Sequence, residues 1–372
     1  MNYFFQRQDA LLRTFKSHGI DSMLITNPVN VQYLTGFTGD SSFFWLSAKQ
    51  SLIISDARYQ EQLAEECPEQ AVHIRPHQQT LPETVGEVLP KLGAHSVGIE
   101  ADHVTLAFRD QLALNAAKLT LVPLISPVTS SRAVKDPSEV EQIRMAIRLA
   151  ERAFSMFMAM LRESDTEKEM VDALEGYLRR AGAKSSSFPP IVAVGARAAL
   201  PHATPTDRQL GQDGKLLIDW GADIGYKSDL TRTIRSPFGT NPTRRNKQKG
   251  TKYDLEEIHD LVLTAQQAAA AAAKPGVPAH EVDAAARKVI DDAGYGKYFT
   301  HGTGHGIGLE IHELPRIRRH SPDQLEAGMV ITLEPGIYIP DWGGVRIEDD
   351  FLITNDGAIR LSTLPREPVV IG

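Results

Sequence analysis

The sequence predicts two consecutive domains, an α/β domain followed by an α+β domain. A chain of 372 residues exceeds what one ordinary core needs, and contents of 42% hydrophobic and 23% charged residues are typical of globular proteins. Short apolar runs alternate with stretches of helical period in the first third, whereas strand pairs interleaved with helices fill the second half. We therefore expect an α/β domain over residues 1–130 and an α+β domain with a mostly antiparallel sheet over residues 131–372.

The elements of the first domain follow from these runs. The strand candidates are SMLIT, FFWLS, SLIIS, SVGIE and LTLVPL, and the helix candidates are TLPETVGEVLPKL and TLAFRDQLALNAA. The segment ISPVTSSRAVKDP that follows is rich in Ser and Pro and has no periodicity. We place the domain boundary in it, near residue 130.

Two capping signals open helices beyond this boundary. Asp136, Pro137 and Glu139 occupy N-cap, N1 and N3 positions of one long helix. Thr166 and Glu169 form a capping box for a second helix, which we expect to end near Gly182.

Two segments of biased composition have ordinary structural explanations. The alanine run Ala268–Ala273 continues the period of the preceding LEEIHDLVLTAQQ and stops before Pro275, so it predicts a closely packed helix. The basic, turn-rich segment over residues 240–253 is typical of a solvated loop, and we assign it no function.

Charge and cysteine usage exclude several classes of function. A formal net charge of −7 gives no positive field for a phosphate backbone, so we expect no nucleic-acid partner. No apolar run approaches a membrane span, and the N-terminal residues lack a secretory segment. Cys67 is the single cysteine, so no intramolecular disulfide can form and the thiol is expected to serve packing. A cytoplasmic protein without a membrane partner is expected.

The segment KLLIDWGADIGYKSDLTRTI predicts a hairpin with acidic strands. Its two β-like runs flank a short loop over Asp223, Ile224 and Gly225, with the glycine at a left-handed position. A loop centred there puts Asp219 and Asp229 opposite each other on one face. Two adjacent carboxylates among apolar residues need cations between them, or one must be protonated, unless both are simply solvated.

A second hairpin repeats the arrangement. In VITLEPGIYIPDWGGVRIEDDFLIT a turn over residues 341–344 brings Glu334 and Glu348 opposite each other. Two such pairs inside aliphatic strands favour a functional acidic centre over surface aspartates and glutamates.

Three histidines lie in the glycine-rich segment HGTGHGIGLEIHELP between the two hairpins, at His301, His305 and His312. A zinc-protease helix is excluded, because no Glu follows the first His as H-E-x-x-H requires and the glycines disfavour a helix. A glycine-rich loop instead lets the backbone approach a site and aims imidazoles at it, so we expect at least one of the three to be a metal ligand.

The candidate ligands are Asp219, Asp229, His305, Glu334 and Glu348. Four carboxylates and one imidazole favour Mn²⁺, while Co²⁺, Fe²⁺ and Zn²⁺ remain open. Two divalent ions balance the four negative charges, and at a separation of roughly 3.5 to 4 Å they can activate a bridging water. Hydrolysis is the expected chemistry.

The chain resembles the aminopeptidase P and prolidase family of pita-bread dinuclear metallopeptidases, both in the order of its candidate ligands (Asp, Asp, His, Glu, Glu) and in the short sequence motifs around them. The strings ALPHA, IDWGADIGYKSDLTRT, HGTGHGIGLEIHE, TLEPGIYI and GVRIEDD carry the resemblance in the C-terminal half, and NVQYLTGFTG with SDARYQEQ carries it in the N-terminal domain. The resemblance implies a C-terminal pita-bread (creatinase/aminopeptidase) domain preceded by a smaller, creatinase-like α/β N-terminal domain.

The resemblance also implies roles for the five ligands. Asp219 corresponds to a ligand of one metal alone, Asp229 and Glu348 to bridging carboxylates, and His305 and Glu334 to ligands of the other metal. Glu334 is further implied to take a proton from the bridging water.

Three more residues are implied to act at the site. His202 corresponds to a histidine near the scissile nitrogen, His312 to one near the developing oxyanion, and Arg346 to a supporting arginine. One departure is that Asp219 and Asp229 lie ten positions apart, one fewer than the family pattern, so we expect a tighter hairpin loop.

The function implied is cleavage between an N-terminal residue and a following proline. The words TGFTG and SDARY favour an Xaa-Pro aminopeptidase, with an Xaa-Pro dipeptidase (prolidase) as the alternative. A creatinase-like amidinohydrolase and an inactive binding protein are disfavoured because all five ligand positions are filled. A peptide with proline at its second position is the implied substrate, and a homodimer is implied by the family.

Overall fold

The computed structural model describes residues 3–125, 127–236, 238 and 253–367, and the chain divides into two compact units, Met1–Arg132 and Ala133–Gly372. The basic segment over residues 240–252 lies outside the described residues. Among the described helices, none is long and apolar enough to cross a membrane.

The N-terminal unit is built on a six-stranded mixed sheet in the order β4-β3-β2-β1-β5-β6. Its strands are β1 Ser22–Ile25, β2 Phe43–Ser47, β3 Ser51–Ser55, β4 Val72–Ile74, β5 Ser96–Glu100 and β6 Thr120–Leu124. Its helices are α1 Tyr3–Leu12, α2 Phe15–His18, α3 Pro28–Thr35, α4 Gln60–Glu66, α5 Leu81–Lys91, α6 Leu106–Asn115 and α7 Pro127–Ser131. The three-residue strand β4 is too short for its pattern to be recognised, whereas every apolar run predicted to be a strand forms one.

The C-terminal unit combines four described helices with strands that pair antiparallel throughout the part of the chain that the structure describes. The helices are α8 Pro137–Met160, α9 Glu167–Ala181, α10 Leu255–Ala272 and α11 Ala279–Asp292. The first six strands are β7 Ser185–Ser186, β8 Ile191–Val194, β9 Lys215–Trp220, β10 Ala222–Asp223, β11 Leu230–Arg235 and β12 Gly304–Gly306. The last six are β13 Glu313–Ile317, β14 Val330–Leu333, β15 Gly336–Ile339, β16 Gly343–Arg346, β17 Asp349–Thr354 and β18 Gly357–Arg360. The predicted α+β class with an antiparallel sheet is therefore confirmed.

The helix boundaries follow the capping signals. Asp136 and Glu139 form the capping box of α8, and Thr166 and Glu169 that of α9, which ends at the left-handed Gly182. The predicted alanine-rich helix is confirmed as α10.

The first hairpin differs from the prediction by one position in its centre. Asp219 pairs with Thr231, and the register is centred on Gly225, which adopts a positive φ of 106°. Asp219 and Asp229 are therefore diagonal neighbours on one face, so the prediction that they lie directly opposite each other is wrong. The short loop moves its centre to the residue that tolerates the left-handed conformation.

The second hairpin has the predicted pairing. Leu333 pairs with Asp349 and Gly336 with Arg346, and this common register places Glu334 opposite Glu348. Gln266 of α10 donates hydrogen bonds to the carbonyl oxygens of Leu333 and Ile347, which fixes the two strands beside the acidic pair.

Candidate active site

Five side chains predicted to bind metal come from separate elements of the C-terminal unit. Asp219 lies on β9, Asp229 directly precedes β11, His305 is in β12, and Glu334 and Glu348 flank the β15–β16 hairpin. Ligand atoms of Asp229, His305 and Glu348 all lie within 4.8 Å of one another. His305 Nε2 is 3.6 Å from Asp229 Oδ2 and 3.6 Å from Glu334 Oε1. The fold thus gathers these four residues into one cluster.

Asp219 is held at the edge of this cluster by Arg346. Arg346 Nη2 donates to Asp219 Oδ2 over 2.6 Å, and both side chains are buried. The negative charge of Asp219 raises the pKa of Asp229, Glu334 and Glu348, so the four carboxylates form one electrostatic unit.

Burial is the main cause of the shifted carboxyl pKa values. Desolvation, followed by the charge of a neighbouring carboxylate, raises the pKa of Asp229 and of Glu348 well above their usual ranges. Desolvation also raises the pKa of Glu334 to about 8, against the opposing charge of Arg346. These carboxyl groups cannot all be ionised near neutral pH without positive charge between them.

Unsatisfied oxygen atoms show that the cluster fits cations. Among the described residues, Asp219 Oδ1, Asp229 Oδ1 and Glu348 Oε1 are shielded from solvent and have no hydrogen-bond partner. Buried acceptors without donors are costly, and bound metal ions would satisfy them.

The orientation of His305 gives a second sign of a cation. Its Nδ1 lies 3.0 Å from the carbonyl oxygen of Gly306, and as a donor there it leaves the lone pair of Nε2 facing Asp229 and Glu334. Burial lowers the pKa of His305 to about 4, so the ring is neutral. A neutral nitrogen lone pair facing carboxylates is a favourable arrangement when a metal ion lies between them.

His301 lies outside the cluster and serves a hydrogen-bond chain. Its Nδ1 is 2.7 Å from the carbonyl oxygen of Gly302, and its Nε2 is 2.8 Å from the hydroxyl of Tyr338. Arg346 Nη1 donates to the same hydroxyl over 2.8 Å. Burial lowers the pKa of His301 to about 3 and raises that of Tyr338 to about 12, so both groups stay neutral.

His312 and His202 are exposed side chains close to the cluster. The rings of His312 and His305 meet edge to face with centroids 4.4 Å apart. His202 follows Pro201, whose carbonyl oxygen accepts from Arg346 Nη1 at 3.3 Å. The charge of His202 contributes to the lowered pKa of His312, for which desolvation is the larger cause.

The sequence prediction missed Thr231, Tyr338 and Asp350. Thr231 Oγ1 donates to Glu348 Oε2 over 2.7 Å and accepts from Arg346 Nε over 3.0 Å. Asp350 Oδ2 accepts from the backbone N–H of Asp229 over 3.2 Å, and burial raises its pKa well above the usual range. Strand period was an available signal for Thr231, which lies two positions after Asp229 and therefore on the same face.

Comparison with known proteins agrees with the arrangement. Residues 141–355 match the family model described as metallopeptidase family M24, and residues 7–134 match the creatinase/prolidase N-terminal domain. The chain is 35% identical to the Xaa-Pro dipeptidase of Pyrococcus furiosus, over 97% of this chain and 99% of that one.

Solved structures give the same result. The Xaa-Pro dipeptidase from Bacillus anthracis superposes with a TM-score of 0.90 at 35% identity, covering 99% of each chain. The X-Pro aminopeptidase from Thermotoga maritima superposes with a TM-score of 0.86 at 33% identity, covering 96% of this chain and 99% of that one. Relatives that match over their full length and the acidic cluster lead to one conclusion: the chain is a hydrolase that belongs to metallopeptidase family M24, with a creatinase/prolidase N-terminal domain followed in sequence by the pita-bread domain.

Proposed function

We propose that the chain is an Xaa-Pro dipeptidase whose two divalent metal ions are held by Asp219, Asp229, His305, Glu334 and Glu348. The observation that carries the proposal is the buried acidic cluster with its solvent-shielded carboxylate oxygens that lack donors. The proline preference rests on the similarity to proteins named Xaa-Pro dipeptidase and X-Pro aminopeptidase. More of these relatives are named dipeptidases than aminopeptidases. We therefore favour dipeptidase activity over the aminopeptidase activity predicted from the TGFTG and SDARY motifs.

The oxygen-rich ligand set favours Mn²⁺ as the native ion. Bound divalent ions would supply Lewis-acid activation of a water molecule and of the scissile carbonyl. Asp219, Asp229, His305, Glu334 and Glu348 are the residues that would hold the two ions.

The remaining residues have proposed roles that follow from their positions. Glu334 takes the proton from the attacking water, because its side chain, at 20% exposed, is the most accessible of the four carboxylates. His312, whose ring contacts that of His305, donates a hydrogen bond where the oxyanion develops. His202 directly follows Pro201, whose carbonyl oxygen contacts Arg346, and it donates a hydrogen bond toward the leaving nitrogen. Arg346 holds Asp219 in place through the hydrogen bond to its carboxylate.

The proposal includes a homodimer, which the family resemblance implies. It also includes a cytoplasmic location, which is consistent with a single cysteine, Cys67, that is free and buried. Light scattering of the purified chain tests the dimer: a mass of twice 40.9 kDa is expected, and a single-chain mass at micromolar concentration would contradict it.

The function is tested with Xaa-Pro dipeptides and Xaa-Pro-Xaa tripeptides, incubated with chelator-stripped protein before and after Mn²⁺ is restored. We expect hydrolysis only with Mn²⁺ and faster turnover of the dipeptides. Asp229→Asn should abolish turnover, whereas Asp223→Asn should keep it, because the Asp223 carboxylate on the same hairpin pairs with Lys227. Faster tripeptide cleavage would instead support the aminopeptidase, and cleavage of neither peptide would contradict the proposal.

A further inference from the structure

A buried ion pair on helix α11 is oriented toward the segment that leads into the acidic cluster. Arg287 Nε donates to Asp283 Oδ2 over 2.6 Å, and Arg287 Nη2 lies 3.1 Å from Asp283 Oδ1. Asp283 is 1% exposed and Arg287 is 8% exposed. Two charges at such depth are unfavourable unless their remaining donors and acceptors are also used.

Those remaining hydrogen bonds all go to one short segment, Phe299–Thr303. Arg287 Nη1 donates to the carbonyl oxygen of Phe299 over 3.1 Å, and Arg287 Nη2 donates to the carbonyl oxygen of His301. Asp283 Oδ1 accepts from the backbone N–H of Thr303 over 3.0 Å and from its hydroxyl over 2.8 Å. The segment carries neither helix nor strand from Phe299 to Thr303, so the ion pair supplies the partners that regular structure would supply.

The segment is joined directly to candidate metal ligands. The carbonyl oxygen of Thr303 accepts from the backbone N–H of Glu334 over 2.7 Å. His305 follows Thr303 by two residues, and its N–H donates to Thr332 on β14 over 3.2 Å. A shift of Thr303 would therefore move both Glu334 and His305.

A second ion pair on the same helix has none of these connections. Lys288 Nζ and Asp292 Oδ2 are 2.7 Å apart, and their side chains are 73% and 65% exposed. This pair offers a matched control, with the same spacing on the same helix and no bond to the segment.

We propose that Asp283 and Arg287 are a positioning pair for the hydrolytic reaction: they fix Phe299–Thr303 in the place that aligns Glu334 and His305. The inference rests on the proposed function, and neither residue touches substrate or reacting atoms. The ligands it aligns are those that would hold the second metal ion, so metal affinity is a readout independent of turnover.

The test compares Arg287→Lys and Thr303→Ala with the wild-type chain and with Asp292→Asn. Arg287→Lys keeps the charge but loses the forked donors, and we expect kcat for an Xaa-Pro dipeptide to fall about 10- to 100-fold because a small misplacement of catalytic groups is costly. We expect KM to change less than about threefold, since substrate contacts are retained.

Calorimetric titration of the metal-free Arg287→Lys variant with Mn²⁺ should show that its affinity for Mn²⁺ is weakened about tenfold. Thr303→Ala should show the same pattern, and Thr303→Ser, which keeps the hydroxyl donor, should restore most of the loss.

The proposal is overturned if folded Arg287→Lys and Thr303→Ala match Asp292→Asn in kcat and in Mn²⁺ affinity. If Arg287→Lys fails to fold, the comparison of Thr303→Ala with Thr303→Ser decides, and equal kcat and Mn²⁺ affinity in those two variants would overturn it. If the wild-type chain hydrolyses no Xaa-Pro peptide, the proposed function fails, and Mn²⁺ affinity alone then decides whether the pair positions the ligands.

Discussion

Thr231 connects two opposite charges at the candidate site through one hydroxyl group. The side chain is fully buried, donates to Glu348 and accepts from Arg346. Removing the hydroxyl leaves Glu348 and Arg346 each with an unused hydrogen-bonding position at a buried point, and this costs more than an average hydrogen bond contributes.

We therefore predict that Thr231→Val lowers the free energy of unfolding of the metal-free chain by about 1–3 kcal/mol and also lowers kcat. Thr231→Ser keeps the hydroxyl and is the control. Urea unfolding and dipeptide turnover measure the two effects, and a Val variant that behaves like the Ser variant in both would contradict the assigned role.

His259 on α10 is a buried histidine distant from the acidic cluster in sequence, and burial lowers its pKa below the ordinary 6.5. The charges of Asp260 and Glu367 oppose the shift, and that of Arg232 adds to it. Below pH 6.5 the unfolded chain therefore takes up a proton at this ring more readily than the folded chain does. The contribution of His259 to stability is therefore fully present above pH 6.5 and is lost as pH falls below that value.

Denaturant unfolding of wild-type and His259→Gln chains between pH 7.5 and pH 5 tests this. The wild-type chain should lose stability more steeply on acidification, by at most about 1.4 kcal/mol per pH unit from this one group. Equal slopes in the two chains would show that folding does not lower the pKa of His259.

At the scale of elements, Asp349 joins a strand, a helix and the segment after β18. Its Oδ1 accepts from Arg232 Nη2 over 2.7 Å and from Ser362 over 2.5 Å, and its Oδ2 accepts from Gln266 over 3.0 Å. We predict that Asp349→Ala destabilises the chain by about 3–5 kcal/mol, because the buried Arg232 guanidinium loses its negatively charged partner and keeps only carbonyl oxygens as acceptors. Asp292→Ala, in an exposed pair, should change stability by less than about 0.5 kcal/mol. Calorimetric unfolding measures both, and a loss under about 1 kcal/mol for Asp349→Ala would contradict the prediction.

The elements that the sequence predicted well are those with local signals. The capping boxes at Asp136 and Thr166 and the turn around Asp341 each lie within a few residues of the structure that they specify. The first hairpin shows the limit, because its loop centre depends on which residue adopts positive φ, and Gly225 takes that position. A change of one residue in the centre turns a directly opposite pair into a diagonal one.

At the scale of the whole molecule, the structure brings Asp229, His305, Glu334 and Glu348 together, and most of the contacts that support them have no local signal in the sequence. Strand period places Thr231 on the face of Asp229, but its hydrogen bond to Glu348 joins residues 117 positions apart. Asp283 and Arg287 bind a segment 12 to 20 positions away that has no regular structure, and no local pattern encodes such contacts. The acidic residues were recognisable because charges inside apolar strands are rare without a function.

Cys67 provides a probe of the N-terminal unit. The thiol is buried, its Sγ donates to the carbonyl oxygen of Thr35, and burial raises its pKa to about 11. We predict that a thiol reagent at pH 8 labels Cys67 at the rate at which the unit opens, and that urea accelerates labelling in step with unfolding. Labelling of the native chain as fast as that of a free thiol would contradict the packing role.

The buried carboxylates and His305 are proposed to form a two-metal hydrolytic centre. The decisive experiment is a titration of the chelator-stripped chain with Mn²⁺. Calorimetry measures the number of ions bound, and hydrolysis of an Xaa-Pro dipeptide is assayed in the same samples. We expect two ions bound per chain, with hydrolysis appearing as the sites fill, and loss of both properties in Glu348→Gln. A chain that binds no Mn²⁺ at these residues, or that hydrolyses the dipeptide equally well when stripped, would contradict the proposal.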